Sequence, residues 1–156
     1  MPKIDRKLIT KKADIVADLK KIIKAENILD HEDQVRPFET DALSAYKQKP
    51  LVVVFPENTE EVSRILKYCN QERIKVVPRG SGTGLSGGAL PLEDSLLLCL
   101  GKFNKIINID YKNRCVIAQP GVTNLSITEA VQDKGFYYAP DPSSQIACSI
   151  GGNVAE

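Results

Sequence analysis

The chain of 156 residues is 42% apolar and 26% charged, which is typical of one globular domain with a hydrophobic core. Its 21 Lys and Arg against 20 Asp and Glu give a net charge of +1, so there is no bulk positive field to attract nucleic acid. No apolar run approaches the roughly 20 residues of a transmembrane segment. Because residues 1–7 are charged and lack the apolar core of a secretion signal, we expect a cytoplasmic protein.

The cysteine and histidine content argues against a metal site. The cysteines are widely spaced and form no C-x-x-C pair, so we expect buried free thiols at Cys69, Cys99, Cys115 and Cys148. The single histidine, His31, lies in a polar stretch and is interpreted as an exposed residue. The sequence therefore nominates no metal ligand and no catalytic residue.

The first part of the chain predicts a helix followed by a linker. Residues 11–25 indicate an amphipathic helix because apolar side chains recur on one face, at Ile15, Val16, Leu19, Ile22 and Ile23. Residues 30–50 are polar and turn-rich. We therefore divide the chain into an N-terminal helix and linker, residues 1–49, and a domain over residues 50–156.

The domain opens with a predicted β-α-β unit. Residues 51–55 and 74–77 are β-branched runs typical of strands. The helix between them is expected to be capped by Thr59 and to bury Val62, Ile65, Leu66 and Cys69. A crossover of this kind implies that the two strands pair in parallel.

The second half predicts three more strands and one helix. The strands lie at residues 96–100, 106–110 and 115–119, with turn residues at 110–113. The helix begins at a cap, Thr123 or Asn124, buries Leu125, Ile127 and Val131, and ends at Gly135, before an extended piece at residues 136–139. The pattern predicts an α+β fold with mixed strands, and α/β is the alternative.

A glycine-rich segment carries the strongest functional signal. Residues 80–88 hold five of the chain's ten glycines, directly after a predicted strand. Glycine lets the backbone approach a ligand closely, so successive N–H groups can converge on an anion such as a pyrophosphate. A merely tight or flexible loop is the alternative. A second glycine pair, Gly151 and Gly152, lies near the end of the chain and suggests a long ligand.

Two other nucleotide-binding motifs are rejected on context. Residues 82–87 match G-x-G-x-x-G, but Gly88 and Pro91 interrupt the helix that a nicotinamide-binding fingerprint must open. A Walker loop requires a lysine after its last glycine, and none lies between Lys75 and Lys102.

In order, these stretches resemble the FAD-linked oxidases of the vanillyl-alcohol oxidase and p-cresol methylhydroxylase superfamily, especially glycolate and D-lactate dehydrogenase flavoproteins. The resemblance rests on residues 78–88, 119–122, 140–144 and 148–153, with residues 39–42 also similar. It implies a p-cresol methylhydroxylase-type FAD-binding domain, with mixed sheets and flanking helices, that is incomplete at its C-terminal end.

The resemblance also implies where FAD binds. The pyrophosphate would be held by the loop that contains Arg79, Gly80, Ser81, Gly82, Thr83 and Gly84. The flavin, ribityl and adenosine parts would lie along Gly121, Pro142, Ser143, Ser149, Gly152 and Asn153. Three alternatives stay open: Arg79 as a surface cation, Gly121 in an ordinary turn, and Ser143 as a turn former.

The family implies an activity only for the complete protein. That protein would oxidise a small 2-hydroxy acid, of the glycolate or D-lactate type, and pass electrons to a quinone or a partner subunit. The substrate-binding and acid-base residues of the family lie in a further domain, so this chain alone is expected to be inactive and to expose apolar edges. The alternatives are a non-catalytic flavin-binding or assembly module of a split enzyme, and an FAD- and NADPH-dependent cell-wall precursor reductase.

Overall fold

A computed structural model describes residues 4–155. The helices are α1 Arg6–Thr10, α2 Lys12–Leu19, α3 Glu32–Val35, α4 Thr59–Gln71, α5 Asn124–Val131 and α6 Ile150–Ala155. The strands are β1 Ile28–Leu29, β2 Val52–Val54, β3 Lys75–Arg79, β4 Ser95–Cys99, β5 Ile106–Asp110 and β6 Cys115–Ala118. None of the helices in residues 4–155 combines the length and apolar character needed to cross a membrane.

The main sheet has four strands in the order β1-β2-β4-β3. Strand β1 is antiparallel to β2, and β4 pairs in parallel with both β2 and β3. The predicted direct pairing of the first two domain strands is therefore wrong, although both run in the same direction. Strand β4 lies between them, and all five of its residues are buried, as expected of a strand that is covered on both faces.

Both faces of this sheet are covered. On one face, α2 and α4 bury Leu19 and Ile65 against Leu96, and the relative exposure of all three side chains is 0%. On the other face, Val53 and Leu97 pack with Val35 and with Phe38 and Phe55. The segment before residue 50 thus shares its hydrophobic core with the strands that follow.

Several local predictions need correction. Helix α2 ends at Leu19, earlier than predicted, because Ile22 N bonds to Leu19 O in a tighter turn that still buries Ile23. The cap of α4 is Asn58, whose side chain accepts a hydrogen bond from Glu61 N (2.9 Å), so Thr59 is the first helical residue. Leu66 is 44% exposed because it lies beside the buried stripe of α4.

The second sheet is the antiparallel β5–β6 hairpin. Its predicted turn is confirmed, because Asp110 Oδ1 accepts a hydrogen bond from Asn113 N (3.0 Å). The hairpin leaves Ile107 63% and Ile117 56% exposed. Cys115 is exposed in this hairpin, so its predicted burial is wrong, whereas the other three cysteines are buried.

The end of the chain returns to the turn after β6. Thr123 caps α5 by accepting a hydrogen bond from Ser126 N, and Gly135 has the left-handed conformation expected of it. Residues 136–139 form no strand. His31 is exposed at the start of α3, as predicted.

Candidate cofactor-binding site

The glycine-rich loop begins where two parallel strands end. Arg79 closes β3, and its carbonyl oxygen accepts a hydrogen bond from Leu100 N, just past β4 (2.9 Å). The carboxyl ends of neighbouring parallel strands form the edge where α/β sheets bind ligands. In the described part of the chain, the next helix is α5, so the loop does not open a helix. This agrees with the rejection of a nicotinamide-binding fingerprint.

Arg79 is buried beneath this loop rather than exposed on the surface. Its side chain is 6% accessible, and Nη2 donates a hydrogen bond to Ala89 O (2.6 Å). Burial lowers the pKa of the guanidinium, while Asp41 and Cys99 act in the opposite direction. The alternative of a surface cation is therefore wrong, and a positive charge lies directly under the loop.

Two glycines of the loop have a role in its geometry, one through its backbone conformation and one through a close approach. Gly82 has φ +71°, which side chains disfavour, and its position lies against the Arg79 side chain. A Cβ at Gly80 would lie 2.1 Å from Ser149 Oγ. The glycine-rich loop and the second glycine segment therefore meet at Gly80 and Ser149, although they are far apart in the sequence.

Ser149 is held in place by the turn that follows β6. Ile150 N donates to Val122 O (2.8 Å) and Gly151 N to Pro120 O (2.8 Å), and Ser149 forms an isolated bridge with Thr123. A Cβ at Gly151 would lie 2.6 Å from Pro120 Cβ. The stretches at residues 119–122 and 148–153 therefore interlock through their backbones.

Gly121 lies where two backbone segments approach closely. Its N–H donates to Phe103 O (2.7 Å), and an added Cβ would lie 2.5 Å from Leu100 O and 2.8 Å from Phe103 O. Any larger residue would push these segments apart. Gly121 thus has a packing role beyond that of an ordinary turn.

Of the remaining predicted site residues, some lie beside Ser149 and others lie in a separate turn or are exposed. Gly152 lies next to Ser149 Oγ, and Asn153 Oδ1 accepts a hydrogen bond from Asn124 Nδ2 (3.2 Å). Pro142 O accepts a bond from Gln145 N in a local turn, and Ser143 is exposed in that turn. This turn-forming role is the alternative that the sequence left open for Ser143. In the glycine-rich loop, Ser81 is exposed and Thr83 and Gly84 are half-buried.

A cavity of about 360 Å³ opens beside the glycine-rich loop. It is lined by Gly80, Ser81, Gly82 and Arg79, and on the other side by Phe38, Asp41, Phe55 and Gly101. Ala42 N donates to Gly82 O (2.9 Å), which brings residues 39–42 against the loop. Residues 39–42 were similar to the family, but the sequence offered no reason to place Asp41 at the site.

Three buried polar atoms around the loop have no hydrogen-bond partner among the described residues. They are Arg79 Nε, Asp41 Oδ2 and Ser149 Oγ. Buried polar groups in proteins are normally satisfied, so such atoms indicate a place for ligand oxygens and hydroxyls. Together with the glycines that leave the backbone accessible, they fit a cofactor that carries phosphates and a ribityl chain. FAD has both.

The glycine-rich loop lies at a strand end, contacts a second glycine segment and is bordered by unsatisfied polar atoms. This arrangement is typical of a dinucleotide-binding domain. Residues 50–156 match the family model described as "FAD binding domain", and the chain belongs to this family. The predicted cofactor, FAD, is thereby confirmed.

Relatives agree with the predicted resemblance. The chain is 48% identical over 156 residues to glycolate oxidase subunit GlcD of Escherichia coli strain K12, covering 100% of this chain and 30% of that protein. It is 42% identical over 149 residues to GlcD of Bacillus subtilis strain 168, covering 96% and 31%. It is 36% identical over 136 residues to D-lactate dehydrogenase of Anaerostipes hadrus, covering 86% and 28%. The chain thus spans less than a third of the length of these relatives.

Solved structures confirm the predicted fold. The 4-ethylphenol oxidase of Gulosibacter chungangensis superposes with a TM-score of 0.82 at 27% identity, covering 94% of this chain and 29% of that one. A p-cresol methylhydroxylase superposes with a TM-score of 0.78 at 24% identity, covering 92% and 29%. The α+β class with mixed sheets and flanking helices, of p-cresol methylhydroxylase type, is confirmed.

Proposed function

We propose that this chain holds FAD at the junction of Gly80 and Ser149, as part of an oxidoreductase whose complete form oxidises a small 2-hydroxy acid. The observation that carries the proposal is the meeting of two glycine segments where a Cβ would collide with Ser149 Oγ. Support for the substrate class comes from relatives named glycolate oxidase subunit and D-lactate dehydrogenase.

The cofactor would be held mainly by backbone groups. The amides of the glycine-rich loop would bind the pyrophosphate, and the buried Arg79 would place positive charge beneath it. Residues of the second segment would lie along the rest of the cofactor. The proposed set is Arg79, Gly80, Ser81, Gly82, Thr83, Gly84, Gly121, Pro142, Ser143, Ser149, Gly152 and Asn153.

FAD, when bound, supplies the acceptor for the two electrons that leave the substrate. The described residues would bind and orient it, and the carboxylate that lines the cavity, Asp41, is 7% exposed and acts electrostatically on Arg79. His31 is exposed just before α3, and burial raises the pKa of Cys99, beside the cavity, to about 12. We therefore assign no catalytic residue to this chain and place substrate binding and proton transfer in the rest of the complete protein.

The subunit designation of the glycolate oxidase relatives supports a further proposal about partners. The complete protein would work with an electron-transfer or complementing subunit. The division between residues 1–49 and 50–156 and the cytoplasmic location remain predictions from the sequence.

The experiment that tests cofactor binding is to mix the purified chain with FAD and pass it through a desalting column. We expect the chain to retain flavin absorbance at one-to-one stoichiometry. A folded but colourless protein would contradict binding by this chain. In the complete protein, anaerobic addition of glycolate or D-lactate should bleach the bound flavin, and unchanged absorbance with both would contradict the substrate class.

A further inference from the structure

The loop of residues 100–103 joins the two glycine segments, and we call it the connecting loop. At its start, Leu100 N donates to Arg79 O (2.9 Å), which fixes it to the glycine-rich loop. At its end, Phe103 O accepts from Gly121 N (2.7 Å), which fixes it to the turn that holds Ser149. Gly101, between these contacts, lines the cavity. The spacing of the two glycine segments therefore depends on this loop.

One side chain anchors the connecting loop to the rest of the molecule. Lys102 Nζ donates hydrogen bonds to Asn27 Oδ1 and to Glu57 Oε1, the latter at 3.2 Å. Asn27 Nδ2 in turn donates to Glu57 Oε1 (3.0 Å). Asn27 is 2% exposed, and its backbone carbonyl oxygen accepts a hydrogen bond from Phe55 N (2.9 Å). Asn27 is therefore held firmly at the edge of the sheet.

The carboxylate of Glu57 is ionised throughout the physiological pH range. Hydrogen bonds from Lys24, Asn27 and Lys102 lower its pKa to about 2. Since the carboxylate stays ionised, its attraction for Lys102 is permanent rather than switched. Lys102 is therefore held by one buried amide and one stable negative charge.

We propose that Lys102, held by Asn27 and Glu57, is a positioning residue for the cofactor site. It fixes the connecting loop so that the glycine-rich loop and Gly121 keep the separation that a bound cofactor needs. The part of the proposal that concerns FAD rests on the proposed function, whereas the part that concerns the backbone does not. Asn27 lies before the matched residues 50–156, so the N-terminal segment supports the site.

Lys102 differs from the lysine of an ordinary exposed ion pair in the partners that it binds. Lys21 and Asp18 form an exposed pair three residues apart, with 75% and 42% of their side chains accessible. Pairs of this kind contribute little to stability. Lys102 instead bonds to partners 75 and 45 residues away and satisfies a buried amide. Loss of its charge would leave Asn27 Oδ1 unsatisfied and the connecting loop free to shift.

The test compares Lys102→Met with the matched control Lys21→Met in the 156-residue chain. We measure hydrogen exchange of the Gly121 and Phe103 amides without FAD, and the dissociation constant for FAD by titration. In Lys102→Met we expect the Gly121 amide to exchange about tenfold faster, because local opening is easier. The dissociation constant should rise about fivefold. Lys21→Met should match the wild type in both measurements, and Lys102→Arg should restore most of the protection.

The outcomes separate this inference from the proposed function. Wild-type exchange at Gly121 in Lys102→Met overturns the inference, as does a uniform increase at all amides, which would indicate global destabilisation. If the wild type retains no FAD, the proposed function fails, and the exchange comparison alone decides the inference. If Lys102→Met does not fold, Glu57→Gln should speed exchange at Gly121 in the same direction, and unchanged exchange there overturns the proposal.

Discussion

The main sheet and the β5–β6 hairpin are built from similarly apolar strands but bury them to very different extents. Every residue of β2 and β4 is buried, because helices and loops cover both faces of the sheet. In the hairpin, every strand residue is exposed or half-buried, and Ile107 and Ile117 are mostly exposed. The main sheet is stabilised by a hydrophobic core on both of its faces. The hairpin is stabilised by its turn and by the backbone contacts beside it.

The candidate site lies between these two regions. The glycine-rich loop leaves the sheet at Arg79, and the turn at Gly121 follows the hairpin. The two are joined by backbone contacts and by Ser149, which lies against Gly80. Substitutions in the sheet should therefore act on stability, and substitutions at the junction should act on both stability and cofactor retention.

The largest effect is expected in the main sheet. Leu96→Ala removes a fully buried side chain from the centre of β4 and should lower the free energy of unfolding by about 3 kcal/mol. The matched hairpin variant Ile117→Ala should change it by less than about 0.5 kcal/mol, because that side chain is mostly exposed. Urea unfolding followed by circular dichroism measures both. Equal losses would show that the hairpin packs as tightly as the sheet.

At the junction, Gly121→Ala should have the next largest effect. The added methyl group would meet Leu100 O and Phe103 O well inside contact distance, so the free energy of unfolding should fall by about 2 kcal/mol. Gly88→Ala is the control, because no atom lies within 4 Å of a Cβ there and its φ is not positive. It should remain within about 0.5 kcal/mol of the wild type in the same urea experiment. A Gly121→Ala protein as stable as Gly88→Ala would contradict the close approach.

A substitution in the glycine-rich loop should change stability less than the two above but should abolish cofactor binding. Gly82→Val forces a β-branched residue to φ +71° and blocks the approach of a ligand to the backbone, at a cost of about 1 kcal/mol or more. We expect this variant to fold but to lose FAD retention on the desalting column. Gly88→Val should retain FAD. A folded Gly82→Val protein that keeps its flavin would exclude Gly82 from the cofactor site.

Much of the sheet and loop could be predicted from local sequence. The short apolar run at residues 96–100 predicts a strand, and the glycine density of residues 80–88 indicates an anion-binding loop. The order of strands could not be predicted, because the position of β4 depends on burial against helices distant in sequence. The same holds for the contact of Gly80 with Ser149, which only the folded chain brings together.

Charged residues at the site were the hardest to predict. Asp41 and Arg79 are both buried, whereas charged side chains are usually exposed. The sequence placed Arg79 at the cofactor site, with a surface cation as the alternative, and offered no prediction for the side chain of Asp41. Their burial follows from the glycine-rich loop, which folds over Arg79 and bonds to Ala42. Cys115 was mispredicted for the opposite reason, since it is an apolar residue that the two-stranded hairpin leaves exposed.

The reactivity of the cysteines compares the main sheet with the hairpin without any substitution that would change stability. Cys69 and Cys99 lie in the core of the main sheet, and burial raises the pKa of each thiol to about 12. Since the thiolate is the reactive form, both should resist iodoacetamide at mildly alkaline pH, whereas the exposed Cys115 should be alkylated first. Mass spectrometry of the digested protein identifies the modified residue, and unfolding in urea should make all the thiols reactive. If Cys99 were alkylated in the native protein as fast as Cys115, the core of the sheet would have to open as readily as the hairpin, and the contrast between the two regions would not hold.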